Sequence, residues 1–480
     1  MDFRMNRKNV ISVLILLFLL GVSIYKSSVL LKSKGSDQNY AAFFSEEQQI
    51  DVLFFGSSHI RNGIFPMELW NDYGITAYNM AGDGNRIPMA YWRFVNALDY
   101  QTPKLVVMDV YGGSTEGKVS TLWQTHLSFD CFPLSMNKYR MMRDLFDDEN
   151  MEDYDKRWEL LADFSIYHTR WNALNETDFY SHSDLEKKSS EWRGSLPLAQ
   201  IIPVQKNVIE SKSRLTDVNR NYLENMIILC QSKNIDILFI NTAYDSGEES
   251  ESYSKSVQEL TDQYGVEYID LTKLDIVNYE TDFYNAGPNA HVNFTGAKKL
   301  TNYIGMVISS KFQIDDHRED PGYQAYWESY QNYVKSKAGY LKGQTSLDEY
   351  FMFMTDENYN AVIEIRNKDI LYEESNQSLL ENLGVNLEHV KEDIDFMTIN
   401  CIEKDVNYFS VGNTHEALLD SNIGVLGILY DEDSGDGTDI DYKVCLNNVE
   451  IYTADLAGDG KIRIVVMDRD SGDVVDVRTF

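Results

Sequence analysis

Acyl transfer through serine needs a hydroxyl, a base to take its proton and donors for the oxyanion that develops on the carbonyl. The sequence offers each of these at a separate place. Ser58 stands in the run Asp51-Val52-Leu53-Phe54-Phe55-Gly56-Ser57-Ser58-His59. The first five residues, mostly apolar, read as a buried parallel strand, and the small residues after them permit a tight turn. Such a junction lifts a hydroxyl clear of the carboxyl edge of a sheet, where ligands of open α/β folds bind. His291, in the loop Asp282-Phe283-Tyr284-Asn285-Ala286-Gly287-Pro288-Asn289-Ala290-His291-Val292-Asn293, is the candidate base. Gly82, in Met80-Ala81-Gly82-Asp83-Gly84-Asn85, can present a backbone N–H, with the Asn85 amide close by. Each group follows a different strand, and loops at that edge of a sheet converge.

The elements that must position them alternate. After the strand at 51–55, Pro66 suits the first turn of a helix and Gly74 its exit. Thr76 to Asn79 is a second strand and Met89 to Leu98 a second helix. Lys104 to Asp109 is a third buried strand. Further on, helices near Asn219–Ser232 and Ser254–Tyr264 lead to strands Ile235–Asn241 and Val266–Leu271, and a helix from Lys298 to about Ser309 closes the domain. This rhythm predicts a doubly wound parallel sheet of five strands. Residues 112–215 interrupt it with a helix-like, aromatic insertion, expected either to shape a substrate cleft or to be a cap with its own core.

Three segments carry a resemblance. Gly56-Ser57-Ser58-His59 with Asn62-Gly63-Ile64, the loop Tyr78-Asn79-Met80-Ala81-Gly82, and His291-Val292-Asn293 before Gly296-Ala297-Lys298-Lys299 resemble the SGNH (GDSL-like) hydrolase superfamily. With the apolar N-terminal run described next, they are similar to its membrane-anchored branch, which includes D-alanyl transfer proteins and alginate-type O-acetyltransferases. The likeness covers roughly residues 48–310. It implies a flavodoxin-like sheet of order 2-1-3-4-5, Ser58 as nucleophile, Gly82 as oxyanion donor and His291 as base. Two positions depart from the pattern. Where the superfamily places an aspartate three residues before the histidine, this chain has Pro288, so Asn289 or the more distant Asp282 is the candidate orienting residue. The third-block asparagine is also replaced, since the third strand ends Asp109-Val110-Tyr111, and Asn85 is the candidate substitute. His59, next to the nucleophile, is expected to point away and to play a structural part. His168, in Tyr167-His168-Thr169-Arg170-Trp171, is expected to be packed and hydrogen-bonded, or else to line the cleft.

The chain has 480 residues, 43% hydrophobic and 12% aromatic, so two or three domains with real cores are expected. Val10 to Tyr25 is almost unbroken apolar sequence that resumes after Lys26 to Leu31. That length spans a bilayer, and Arg4, Arg7 and Lys8 before it predict a cytoplasmic N-terminus at 1–9, a transmembrane signal-anchor at 10–31 and an exported body. No Ala-x-Ala cleavage pattern follows it. A stalk at 32–47, an α/β domain at 48–314, a charged break at Asp315–Pro321, a helical connector at 322–344 and a mainly β module at 345–480 complete the expected order. In that module Ile464-Val465-Val466-Met467-Asp468 and Val474-Val475-Asp476 faintly resemble secreted β-sandwich modules, which implies a glycan- or partner-binding role or simple packing. The net charge of −33 argues against nucleic acid as a partner, because the field repels phosphate. No cofactor or metal is expected. Cys131, Cys230, Cys401 and Cys445 lack CxxC spacing, and Asp433-Ser434-Gly435-Asp436-Gly437 puts a glycine where a calcium loop needs a carboxylate, so it reads as a hairpin loop. Cys401 and Cys445, both on strand-like segments, are a candidate disulfide. These readings converge on a membrane-anchored O-acyltransferase or esterase that acts on cell-surface polysaccharide, with a multi-span membrane protein as possible acyl donor. The alternative is a non-catalytic envelope scaffold or polysaccharide-binding protein on the same fold.

Overall fold

A computed structural model describes residues 7–32, 37–205, 213–242, 251–287, 290–410, 416–421, 424–430, 442–454 and 462–480. They fall into two compact units. The first comprises Met1–Leu196, Asn207–Ile276 and Lys298–Tyr330; the second comprises Pro197–Lys206, Val277–Ala297 and Gln331–Phe480.

The first unit begins with α1 (Arg7–Leu31) and α2 (Asp37–Ser45). Within α1, the 23 residues Asn9–Leu31 are long and apolar enough to cross a membrane. The β/α alternation follows: β1 (Val52–Phe55), α3 (Ser58–Gly63), α4 (Pro66–Tyr73), β2 (Ala77–Asn79), α5 (Ile87–Ala97) and β3 (Leu105–Asp109). The insertion supplies α6 (Leu122–Phe129), α7 (Met136–Leu145), α8 (Asp163–Tyr167) and α9 (His182–Trp192), with 3-10 turns at Tyr154–Leu161, His168–Asn172 and Glu176–Phe179. Then come α10 (Asp217–Ser232), β4 (Asp236–Asn241), α11 (Glu251–Tyr264), β5 (Glu267–Asp270) and α12 (Phe294–Lys311). The five strands form one sheet of order β2-β1-β3-β4-β5, with every neighbouring pair parallel. The flavodoxin-like order expected from the sequence is therefore the observed one. Central strands covered by helices on both faces bury every side chain, which is why β1, and β3 up to Met108, read as unbroken apolar runs. Pro66 and Pro88 lie in the first turns of α4 and α5, and Gly74 ends α4 in the left-handed region at φ 66°. The charged stretch after α12 packs back on the start of the sheet through His317 Nε2 and Asp51 Oδ2, 2.8 Å apart.

Helix α13 (Gln324–Gly343) leads into α14 (Leu347–Met354). The second unit is built on β6 (Tyr359–Ile365), α15 (Glu374–Asn382), α16 (Leu387–Val390), β7 (Phe396–Asn400), β8 (Asp405–Phe409), β9 (Glu416–Ser421), β10 (Gly424–Tyr430), β11 (Tyr442–Leu446), β12 (Val449–Ala454), β13 (Ile462–Asp468) and β14 (Val474–Thr479). Two antiparallel sheets result, ordered β14-β13-β6-β7-β8 and β12-β11-β10-β9. Val362, Phe396, Val465 and Met467 of one meet Leu426, Ile428 and Val444 of the other in a shared apolar core, as in a sandwich. The loop at 433–437 lies outside the described residues.

The expected pairing of Cys401 with Cys445 is not observed. All four cysteines are buried and in no disulfide. Cys401 follows the last residue of β7 and directs its Sγ to the Met354 carbonyl at 3.2 Å. Cys445 sits within β11, in the other sheet, opposite Gly427 of β10.

Candidate functional site

The turn from β1 into α3 is shaped by close approach. A Cβ at Gly56 would stand 2.8 Å from the Asp109 Cβ and 2.9 Å from Ile60 Cγ1, so glycine alone fits between the ends of β1 and β3. Ser57 caps α3, its hydroxyl accepting from the His59 N–H at 3.3 Å. Ser58 is then the first residue of the helix, and from Asp51 to Ile60 it alone is not buried. His59 is buried, with Nδ1 3.1 Å from the Ser57 hydroxyl and its ring 4.1 Å from that of Tyr111. This is a packed histidine. The sheet order reverses between β1 and β3, so this turn lies at the crevice where open α/β sheets bind ligands.

The neighbouring loop after β2 is tied to the same turn. The Gly82 N–H donates to the Gly56 carbonyl at 3.2 Å, and Arg61 of α3 pairs with Asp83. A side chain at Gly82 would meet Asn85 Nδ2 at 2.7 Å and Ser128 Oγ at 2.9 Å. Asn85 is buried, and its Oδ1 accepts from the Ser128 hydroxyl. That bond orients the amide and leaves Nδ2 as a buried donor without a partner among the described residues. A buried amide N–H left unsatisfied costs about 1–3 kcal/mol, and a ligand oxygen would repay it. Among the two oxyanion candidates, then, Gly82 has its N–H engaged by the protein while Asn85 holds one ready.

Asp109 closes β3 beneath the turn. Its Oδ1 accepts from the N–H groups of Tyr111 at 3.2 Å and Thr242 at 3.3 Å, and its Oδ2 from the Thr242 hydroxyl at 3.0 Å. Burial pushes its pKa up to about 7, against the pull of these donors.

His291 belongs to the second unit, on a loop closed by a bridge between Phe283 and Val292. The Tyr284 N–H donates to the His291 carbonyl at 2.8 Å, and the His291 N–H to Asn285 Oδ1 at 2.9 Å. The same oxygen lies 3.2 Å from His291 Nδ1, so Nδ1 carries the proton. Asn285 is thus the residue seen orienting the imidazole. Asp282 is fully buried and accepts from the Asn278 N–H at 2.7 Å and the Thr281 hydroxyl at 3.1 Å, stitching the turn at 278–282. Asn289 lies outside the described residues. Sequence reasoning passed over Asn285 because it sought a partner at the superfamily's spacing; a backward scan for any amide in the same loop reaches it six positions before His291.

Among the described residues, a cluster that includes a histidine has the ligand types of a metal site. Asp51, Asp315 and His317 converge at the start of β1, the opposite end of that strand from Ser58. The Lys104 ammonium already lies among them, 3.1 Å from Asp51 and 2.6 Å from Asp315, and supplies the positive charge itself.

No family model matches the chain, and no curated protein is similar to it. A search of solved structures finds a crystal structure from Bacteroides fragilis described as a "putative acylhydrolase", at 12% identity and a TM-score of 0.30. It spans 58% of this chain and 98% of its own. A likeness at that level decides nothing about the site, which stands on its own geometry.

Proposed function

We propose that the protein is a membrane-anchored, extracytoplasmic serine enzyme that moves or removes an O-acyl group on cell-surface polysaccharide. The observation that carries this reading is the turn after β1. From Asp51 to Ile60 every residue but the half-buried Ser58 is buried, and the loop beside it holds a buried Asn85 Nδ2 with no partner among the described residues. In the proposed step, His291 Nε2 takes the Ser58 proton as the serine oxygen bonds to the acyl carbon. The Asn85 N–H stabilises the oxyanion, and His291 returns the proton to the departing alcohol. Water or a sugar hydroxyl then releases the acyl group by the same path. A neighbouring multi-span acyl-donor protein would make the chain a transferase. The basic residues Arg4, Arg7 and Lys8 support an inside N-terminus and an exported body.

A non-catalytic scaffold that binds polymer on the same fold is the second reading, favoured by the bond from the Gly82 N–H to the Gly56 carbonyl. Labelling with a fluorophosphonate probe separates the two. The wild-type chain should be labelled and Ser58→Ala should not; equal labelling of both would sink the enzyme. Loss of polymer acetylation in cells carrying Ser58→Ala, or its excess, then distinguishes transferase from esterase.

A further inference from the structure

Among the described residues, helix α1 meets the rest of the first unit through its C-terminal end. From Asn9 to Lys26 the helix is exposed, Ser27 and Ser28 are half-buried, and Leu31 is buried. What covers that turn is the insertion: α8 and the 3-10 turns His168–Asn172 and Glu176–Phe179 all pack against α1. Arg170 is the clasp. One guanidinium nitrogen donates to the Leu31 carbonyl at 2.6 Å, while the other holds both oxygens of Asp178 at 3.0 and 2.9 Å. Lys32 adds a bond to the Asp130 carbonyl.

Beside each end of this clasp stands an aromatic ring turned to solvent. Trp171 follows Arg170 and is 72% exposed; Phe179 follows Asp178 and is 67% exposed. Buried aromatics of this size normally dominate a core, and here two flank a neutralised ion pair at the foot of an apolar helix. Depth explains them. The 23 residues Asn9–Leu31 make about 34 Å of helix, against a hydrocarbon core of about 30 Å, so the last turn rises into the headgroup layer. The parts of the insertion fastened to that turn share its depth. Tryptophan is the side chain that prefers that layer, with its apolar body in the acyl boundary and its N–H in the wet zone.

We infer that the 3-10 turns carrying Trp171 and Phe179 are a second membrane contact, seated in the lipid interface next to the point where α1 leaves the bilayer. The inference rests on the reading that Asn9–Leu31 crosses a membrane. The occupant is lipid: the turns that carry the rings pack on the helix end, Arg170 neutralises Asp178, and the exposed Glu176 with the strong overall negative charge directs the choice to zwitterionic headgroups. The consequence is a body fixed in tilt on the bilayer at two points, where a single flexible stalk would leave it free to swing.

The test uses the full chain in phosphatidylcholine vesicles whose acyl chains carry bromine near the headgroup, which quenches tryptophan at that depth. The wild-type emission should fall in brominated relative to plain vesicles, and Trp171→Phe should lose at least half of that fall. Carbonate extraction of the same vesicles reads the span separately. A chain that resists extraction yet shows no quenching, or quenching that Trp171→Phe leaves unchanged, would overturn the second contact; so would photocrosslinking of position 171 to a protein in place of lipid. A chain released by carbonate would overturn the membrane span itself, and this contact with it.

Discussion

An imidazole accepts a proton at Nε2 only when its tautomer is fixed from the other side, and here Asn285 does that with one oxygen shared between the His291 N–H and Nδ1. Asn285→Ala should lower kcat/KM on an acyl ester, by no more than the ~10⁴-fold lost when a serine–histidine pair loses its orienting carboxylate. Asn285→Asp keeps both bonds and adds a charge that favours the imidazolium, so the acidic limb of the pH–rate profile should move to higher pH. Asp109 gives a second prediction, on stability. The unfolded chain loses this proton near its ordinary value of 3.8, and the folded chain holds it to about 7. Between those values the native state binds more protons, so stability falls as pH rises, by about 1.4 kcal/mol per unit of raising. Asp109→Asn should flatten that slope in urea unfolding followed from about pH 4 to pH 7. The turns after β1 and β2 that carry Ser58 and Gly82 were readable because strand-to-loop junctions show as changes of pattern. Asn285 and the idle Nδ2 of Asn85 were not, since both depend on how a loop closes on itself.

At the level of elements, apolar strands alternating with proline-led helices carried most of the first unit into view, with boundaries within a few residues. What stayed hidden was weakly patterned. Strand β8 is half-exposed along its length and begins Asp405-Val406-Asn407, so neither an apolar run nor a clean alternation marks it. The charged stretch at 315–321 looked like a break and is instead folded onto Asp51 and Lys104, because a run of charges can pair as well as repel. Helix α2, expected as stalk, is part of the core through Tyr40 and Phe43. Just after it, Glu46 meets the buried Arg193 guanidinium at 3.0 Å, under the Tyr326 ring at 3.7 Å. Glu46→Ala should cost about 3 kcal/mol in chemical denaturation, because it strands a buried cation.

For the whole molecule, charge sets the terms of encounter. With 76 acidic against 43 basic residues, the chain should pass unretained over immobilised DNA or heparin at low salt, while binding an anion exchanger. Retention on heparin would mean that a local basic groove outweighs the mean field. The second unit takes in Pro197–Lys206 and Val277–Ala297 along with Gln331–Phe480, so the division does not follow the change in strand spacing after Leu347 alone. The sandwich also bears on how the protein can be made. Its two sheets are joined by apolar side chains, with Cys401 and Cys445 left as separate buried thiols. No covalent cross-link therefore has to form on the way to the native state, so folding should be indifferent to the redox poise of the compartment. Melting with and without dithiothreitol should coincide, and an oxidising export route should offer no gain in yield over a reducing cytoplasm.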